Sequence, residues 1–129
     1  MTPAVVEELI KKAGEAAAAA RAPYSGFKVG AAVLSADGRI FTGCNIENAS
    51  LTLSVCAEKV ALLKAISEGA LGLKAIVVTS HTGQQCFPCG GCRQLLFEFA
   101  PEIKVILPAK NSVKTYTIRE LLPEPFVKE

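Results

Sequence analysis

Residues 75–79 read AIVVT. A strand with one wetted face alternates apolar and polar side chains; AIVV does not alternate, which suits a central strand covered on both faces. Helical patterns flank it. Upstream, residues from about Val55 to Glu68 read as a helix, with Ser54 as its candidate cap and Gly69 as its stop. Downstream, RQLLFEF at 93–99 reads as another helix that ends before Pro101. A helical crossover on each side of one buried strand predicts a parallel central portion with helices packed on its faces.

Working outward, Thr2 and Pro3 suit the N-cap and first position of an opening helix. Val6, Leu9, Ile10, Ala13 and Ala17 give that helix an apolar stripe, and it must stop before Pro23. Phe27 to Leu34 and Arg39 to Cys44 read as strands joined across Asp37-Gly38, a hairpin signal. Lys104 to Leu107 and Lys114 to Thr117 read as two further strands. TIRE at 117–120 is a capping-box pattern that opens a short last helix, which Pro123 stops. The order is αββαβαββα. It predicts one α/β domain over residues 1–129, a three-layer α/β/α arrangement with a mixed sheet of about five strands. In such sheets ligands bind beyond the carboxyl ends of strands, where helices begin.

Composition narrows the function classes. The chain has 129 residues, enough to bury a core, and half of them are hydrophobic. No apolar run approaches the roughly 18 residues of a spanning helix, so no membrane association is expected. The start, MTPAVVEELIKKAG, lacks the basic and apolar regions of a signal peptide, which predicts a cytoplasmic protein with reduced thiols. A formal net charge of +2, without a block of like charges, gives no nucleic-acid footprint.

Three of the five cysteines fall in seven residues, CFPCGGC at 86–92. In a reducing compartment that density points to metal or catalysis. Cys89 and Cys92 have the C-x-x-C spacing of a zinc half-site, and Cys56, Cys86, Cys44 and His81 are the candidates to complete it. Cys56 opens the second helix, where unpaired N–H groups and the positive dipole end favour a thiolate. Three protein ligands would leave a catalytic position for water; four thiolates would make a closed structural site. Glu58 lies two residues after Cys56, in the first turn, and can reach the same point beyond the helix end. A hydrolytic site uses such a carboxylate and a structural one does not. Cys44 reads as a small core residue and Cys86 as a bystander thiol. His81, the sole histidine, reads as a surface residue in a polar turn.

V-C-A-E at 55–58 and P-C-G-G-C-R-Q at 88–94 resemble the two zinc motifs of the cytidine deaminases. The likeness extends through A-P-Y-S-G-F-K-V-G-A-A at 22–32, G-C-N-I-E-N-A-S at 43–50 and E-L-L-P at 120–123. This resemblance implies a hydrolase that converts cytidine and deoxycytidine to uridine and deoxyuridine plus ammonia, in pyrimidine salvage. It implies one zinc ion on Cys56, Cys89 and Cys92, with Glu58 carrying protons from an activated water to the base and the departing amine. It further implies that the Ala57 N–H meets the base carbonyl, that Phe27 lies against the pyrimidine, and that Asn45 and Glu47 grip the ribose 3′-hydroxyl. Phe126 would reach a neighbouring subunit's site in a homotetramer with shared active sites.

Two positions depart from the family pattern. Lys59 stands where relatives commonly have an arginine that offsets thiolate charge, which leaves more of that task to Arg93 and the helix dipoles. Leu51 stands where many relatives have tyrosine, which touches subunit contacts and the nucleoside 5′ end. Rival readings are an iron–sulfur binder, a structural zinc domain closed by Cys86, and a deaminase of another substrate such as cytosine in RNA or a blasticidin S-like nucleoside.

Overall fold

The computed structural model describes residues 1–128. A five-stranded sheet runs in the order β2-β1-β3-β4-β5. Its strands are β1 (Val29–Leu34), β2 (Ile40–Cys44), β3 (Ala75–Ser80), β4 (Lys104–Pro108) and β5 (Val113–Thr117). The helices are α1 (Pro3–Ala17), α2 (Ala57–Ser67), α3 (Gly90–Phe99) and the short α4 (Ile118–Leu121). A single 3₁₀ turn spans Leu51–Leu53.

The strand AIVV is central as expected, with every residue of β3 buried. Its neighbours are not both parallel, however. β3 pairs parallel only with β4, and antiparallel with β1, from Val29 opposite Ser80 to Leu34 opposite Ala75. The hairpin explains this. β1 folds back on β2, with Gly30 opposite Cys44, and then inserts between β2 and β3. The crossover through α2 therefore joins two strands of the same direction that are not adjacent.

The two faces carry separate apolar clusters, and these define the layers. On one face, Leu9 and Ala13 of α1 pack on Ala32, Leu34, Ala75, Val77 and Ile106. On the other, Ala57, Ala61, Leu62 and Ala65 of α2 and Leu96 of α3 pack on Val29, Ala31, Val33, Ile76, Val78 and Val105. Alternate residues of one strand serve opposite layers, as the twofold repeat of a strand requires. Two helix starts differ from the sequence expectation. α2 begins at Ala57 with Cys56 as its N-cap, and Ser54 instead accepts the Asn48 N–H at 2.9 Å. α3 begins three residues before Arg93, at Gly90, with Cys89 as N-cap. Its glycine pair has poor helix propensity and hides that start. Phe27 also precedes its strand, because its backbone bonds to side chains and not to the ladder. The closing capping box forms as read, Thr117 and Glu120 each satisfying the other's backbone N–H.

Candidate active site

The ends of β2 and β3, the beginning of β1 and the N-termini of α2 and α3 all lie at one edge of the sheet. Cys56 and Cys89 each occupy an N-cap, and Cys92 lies in the first turn of α3. Their three sulfurs lie within 4.8 Å of one another, although 33 residues separate Cys56 from Cys89. Cys56 Sγ is 3.7 Å from Cys89 Sγ, and the Cys92 N–H donates to Cys89 Sγ at 3.4 Å. Among the described residues no fourth ligand atom joins this group, so Cys44, Cys86 and His81 stand outside it.

Proton sharing within the cluster is uneven. The Cys56 thiol is drawn down to about 6, first by its hydrogen bond with Cys92, then by Cys89 and the Lys59 charge, against the cost of burial. Cys92 is pushed up, chiefly because it donates to Cys56, and next by its burial. A thiol drawn toward its thiolate, in a cluster at two helix N-termini, suits a cation that takes sulfur ligands. Three sulfur donors without a fourth is a donor set that fits zinc in a catalytic arrangement. Cys86, by contrast, is pushed up to about 11 by burial and by the negative charges of Glu58 and Cys56. It packs against the core as a protonated thiol.

Glu58 is only 5% exposed. Burial raises its carboxyl to about 7, and the Cys56 charge adds to the effect; its own backbone, Cys92 and the Cys89 backbone pull it partly back. A carboxyl held near neutrality can both take and give a proton at working pH. Beside the cysteines lies a recess of about 210 Å³ lined by Ser54, Cys56, Lys59, Cys89, Gly91, Cys92 and Leu95. Lys59 therefore stands where its ammonium acts on the thiolates. Arg93 does not spend its donors there: Nε donates to the Pro88 carbonyl and Nη1 to the Leu121 carbonyl, each at 2.8 Å. It braces the cysteine loop against the end of α4.

Asn45 and Glu47 follow β2 and hold the segment that leads into β1. Asn45 Oδ1 accepts the Val29 N–H at 2.8 Å, and its Nδ2 donates to the Phe27 carbonyl at 2.9 Å. Glu47 Oε1 accepts the N–H groups of Tyr24 at 2.9 Å and Ser25 at 3.1 Å, and Oε2 accepts the Ser25 hydroxyl. The Ser25 bonds hold the Glu47 carboxyl below its usual range, which keeps it charged. A recess of about 410 Å³ adjoins Glu47, lined also by Tyr24, Ser25, Asn48, Ala49, Leu51 and Ser54. Ala57 is fully buried at the start of α2. The tail reaches back to α3 through Gln94, which donates to the Phe126 carbonyl at 2.9 Å and accepts its N–H at 3.0 Å. The Phe126 ring itself is 72% exposed. Ser25 had no role in the sequence reading and His81 was read only as a candidate zinc ligand or a surface residue, since their bonds to the 24–29 segment leave no spacing signature.

Residues 4–107 match the model of the cytidine and deoxycytidylate deaminase zinc-binding region. The chain belongs to this family. It is 43% identical over 126 residues to the cytidine deaminase of Sporosarcina psychrophila, covering 96% of this chain and 93% of that protein. Identity to the cytidine deaminase of Halalkalibacterium halodurans is 46% over 123 residues, with 94% and 93% covered. The crystal structure of cytidine deaminase from Burkholderia pseudomallei superposes with a TM-score of 0.89 at 42% identity, covering 98% of this chain and 100% of that one. As a zinc-binding member, the chain takes zinc, and its three-cysteine cluster is the group that can hold it.

Proposed function

We infer that this protein is a zinc-dependent cytidine deaminase that hydrolyses cytidine and deoxycytidine to the uracil nucleosides and ammonia. The observation that carries the reading is the convergence of Cys56, Cys89 and Cys92 beside a buried Glu58 whose carboxyl is poised near neutrality. Bound by the three thiolates, zinc supplies Lewis-acid activation of the attacking water.

The chain's own groups do the rest. Glu58 accepts the proton that water loses as its oxygen bonds to C4 of the base. It delivers that proton to N3, then takes the remaining proton from the new C4 hydroxyl and passes it to the exocyclic nitrogen; the C4–N bond breaks as the C4 carbonyl forms, and ammonia leaves. Water thus supplies the new carbonyl oxygen. The Ala57 N–H orients the base through its carbonyl, and the Phe27 ring lies against the flat pyrimidine. Asn45 and Glu47 each retain hydrogen-bonding capacity beyond their backbone contacts, and this is offered to the ribose 3′-hydroxyl. Lys59 offsets thiolate charge directly, whereas Arg93 contributes its charge from a bracing position. We assign residues 1–129 to one catalytic domain, acting in the cytoplasm in pyrimidine salvage. Phe126, exposed on a tail pinned by Gln94, fits a homotetramer in which it completes a neighbour's site.

The test is ammonia release from cytidine by the zinc-loaded protein, with Glu58→Gln alongside. Removing the proton carrier should lower kcat by about 10²- to 10⁴-fold while zinc stays bound. A folded, zinc-loaded wild type that leaves cytidine and deoxycytidine intact would overturn the assignment.

A further inference from the structure

Several polar backbone groups around Phe27 are taken by side chains. The Phe27 N–H donates to Ser25 Oγ at 3.0 Å, and its carbonyl accepts from Asn45. The Val29 N–H goes to Asn45 as well. Between them stands Lys28, and both of its backbone groups go to one residue, His81.

This pairing continues the β1–β3 ladder by one position beyond Val29 and Ser80. The His81 backbone N–H donates to the Lys28 carbonyl at 2.9 Å, as a strand residue would. The reciprocal acceptor should be the His81 carbonyl, but the chain turns there, with the Gly83 N–H bonded back to the Ser80 carbonyl. His81 Nδ1 takes the place of that carbonyl and accepts the Lys28 N–H at 3.0 Å. The same Nδ1 lies 3.1 Å from the Lys28 carbonyl oxygen, so the ring sits against both polar groups of that residue's backbone. The same ring meets Phe27 edge to face, with centroids 6.0 Å apart at 61°. His81 thus fixes both the peptide that follows Phe27 and one side of the phenyl ring.

We propose that His81 is a positioning residue for nucleoside binding, one that holds Phe27 in the attitude needed to receive the pyrimidine. The proposal rests on the stacking role inferred above for Phe27. Such a contact is made equally in the bound substrate and in the transition state, so its loss raises KM and leaves kcat in place. A role confined to folding would not divide the two constants in this way.

Four variants separate the contributions. His81→Ala removes both the acceptor and the ring. His81→Phe keeps a ring without the acceptor. His81→Asn places an oxygen where Nδ1 was and lacks the ring. Phe27→Ala tests the underlying stacking role. With zinc-loaded protein and cytidine, His81→Ala and His81→Phe should each raise KM about two- to tenfold, the range of one net backbone hydrogen bond. Their kcat should stay within about twofold, by the same uniform-binding argument. His81→Asn should restore most of the wild-type KM. Amide hydrogen exchange at Lys28 should quicken in the first two variants and not in the third. If Phe27→Ala raises KM and His81→Ala does not, the positioning role is wrong and the stacking role stands. If Phe27→Ala leaves KM unchanged, the stacking role falls and the inference for His81 falls with it.

Discussion

At the scale of single residues, the site divides its cysteines by environment and not by proximity in sequence. Cys86 is nearer to Cys89 along the chain than Cys56 is, yet it stays outside the cluster and burial keeps it protonated. Cys56, on another helix, is drawn toward its thiolate. A metal ion needs its ligand atoms around one point, and only the three clustered sulfurs, within 4.8 Å of one another, meet that condition among the described residues. Cys89→Ser should therefore abolish tight zinc retention, while Cys86→Ser should leave about one zinc per chain, both measured by metal analysis after dialysis. Loss of zinc from Cys86→Ser would reinstate the closed structural site. The convergence is legible in the sequence from the C-x-x-C spacing of Cys89 and Cys92 and from the place of Cys56 near the opening of a helix, even though the exact helix starts are not. The backbone grips of Asn45, Glu47 and His81 are not legible. They span 16 to 53 residues and depend on which strands lie side by side.

At the scale of elements, what positions the site is how closely α2 rests on the sheet. A Cβ on Gly43 would sit 2.6 Å from the Ala61 nitrogen and 2.7 Å from the Ala57 carbonyl oxygen, both backbone atoms of α2. A Cβ on Gly30 would meet the Ala13 carbonyl oxygen of α1 at 1.9 Å, on the opposite face. Neither helix can yield without moving bodily, so Gly43→Ala and Gly30→Ala should each destabilise by about 1–3 kcal/mol or more in chemical denaturation. Their functional signatures should part. Displacing α2 shifts Cys56, Ala57 and Glu58 together, so Gly43→Ala should lose activity and zinc beyond what its stability loss explains. Gly30→Ala should keep both wherever it remains folded. Equal losses of zinc in the two variants would show that the site does not depend on α2 seating. The helix ends mark what sequence conveys at this scale. The capping box at Thr117 is a fixed offset of two side chains and reads directly. The starts of α2 and α3 are set by cysteines and glycines whose propensities argue against a helix, and there the tertiary site overrides local preference.

At the scale of the whole molecule, the layers were readable and the strand order only partly so. Alternating strands and helices dictate an α/β/α arrangement, and the Asp37-Gly38 turn dictates an antiparallel hairpin. Which edge of that hairpin joins β3 is a long-range choice, yet VGAAVL in β1 carries a signal for it. Six residues without a polar member suit a strand buried on both faces, and all six of β1 are buried, whereas IFTGC in β2 alternates as an edge strand does. What the folded chain leaves uncovered bears on assembly. Leu51 is 86% exposed and lines the recess next to Glu47, with the Tyr24 ring also outward; Phe126 projects from its tail. Large apolar groups gathered beside that recess are costly to leave in water and suit contact with further copies of the chain. Four chains of 13.6 kDa should then sediment together at micromolar concentration. Leu51→Glu would place a charge in a desolvated contact and should shift the protein toward smaller species, with activity falling in step with the lost assembly. Phe126→Ala should leave the assembly largely intact and raise KM for cytidine, because it removes one ring and no buried partner. A fully active monomer in the ultracentrifuge would separate catalysis from assembly, and the recess beside Glu47 would then have to serve the nucleoside without a neighbouring chain.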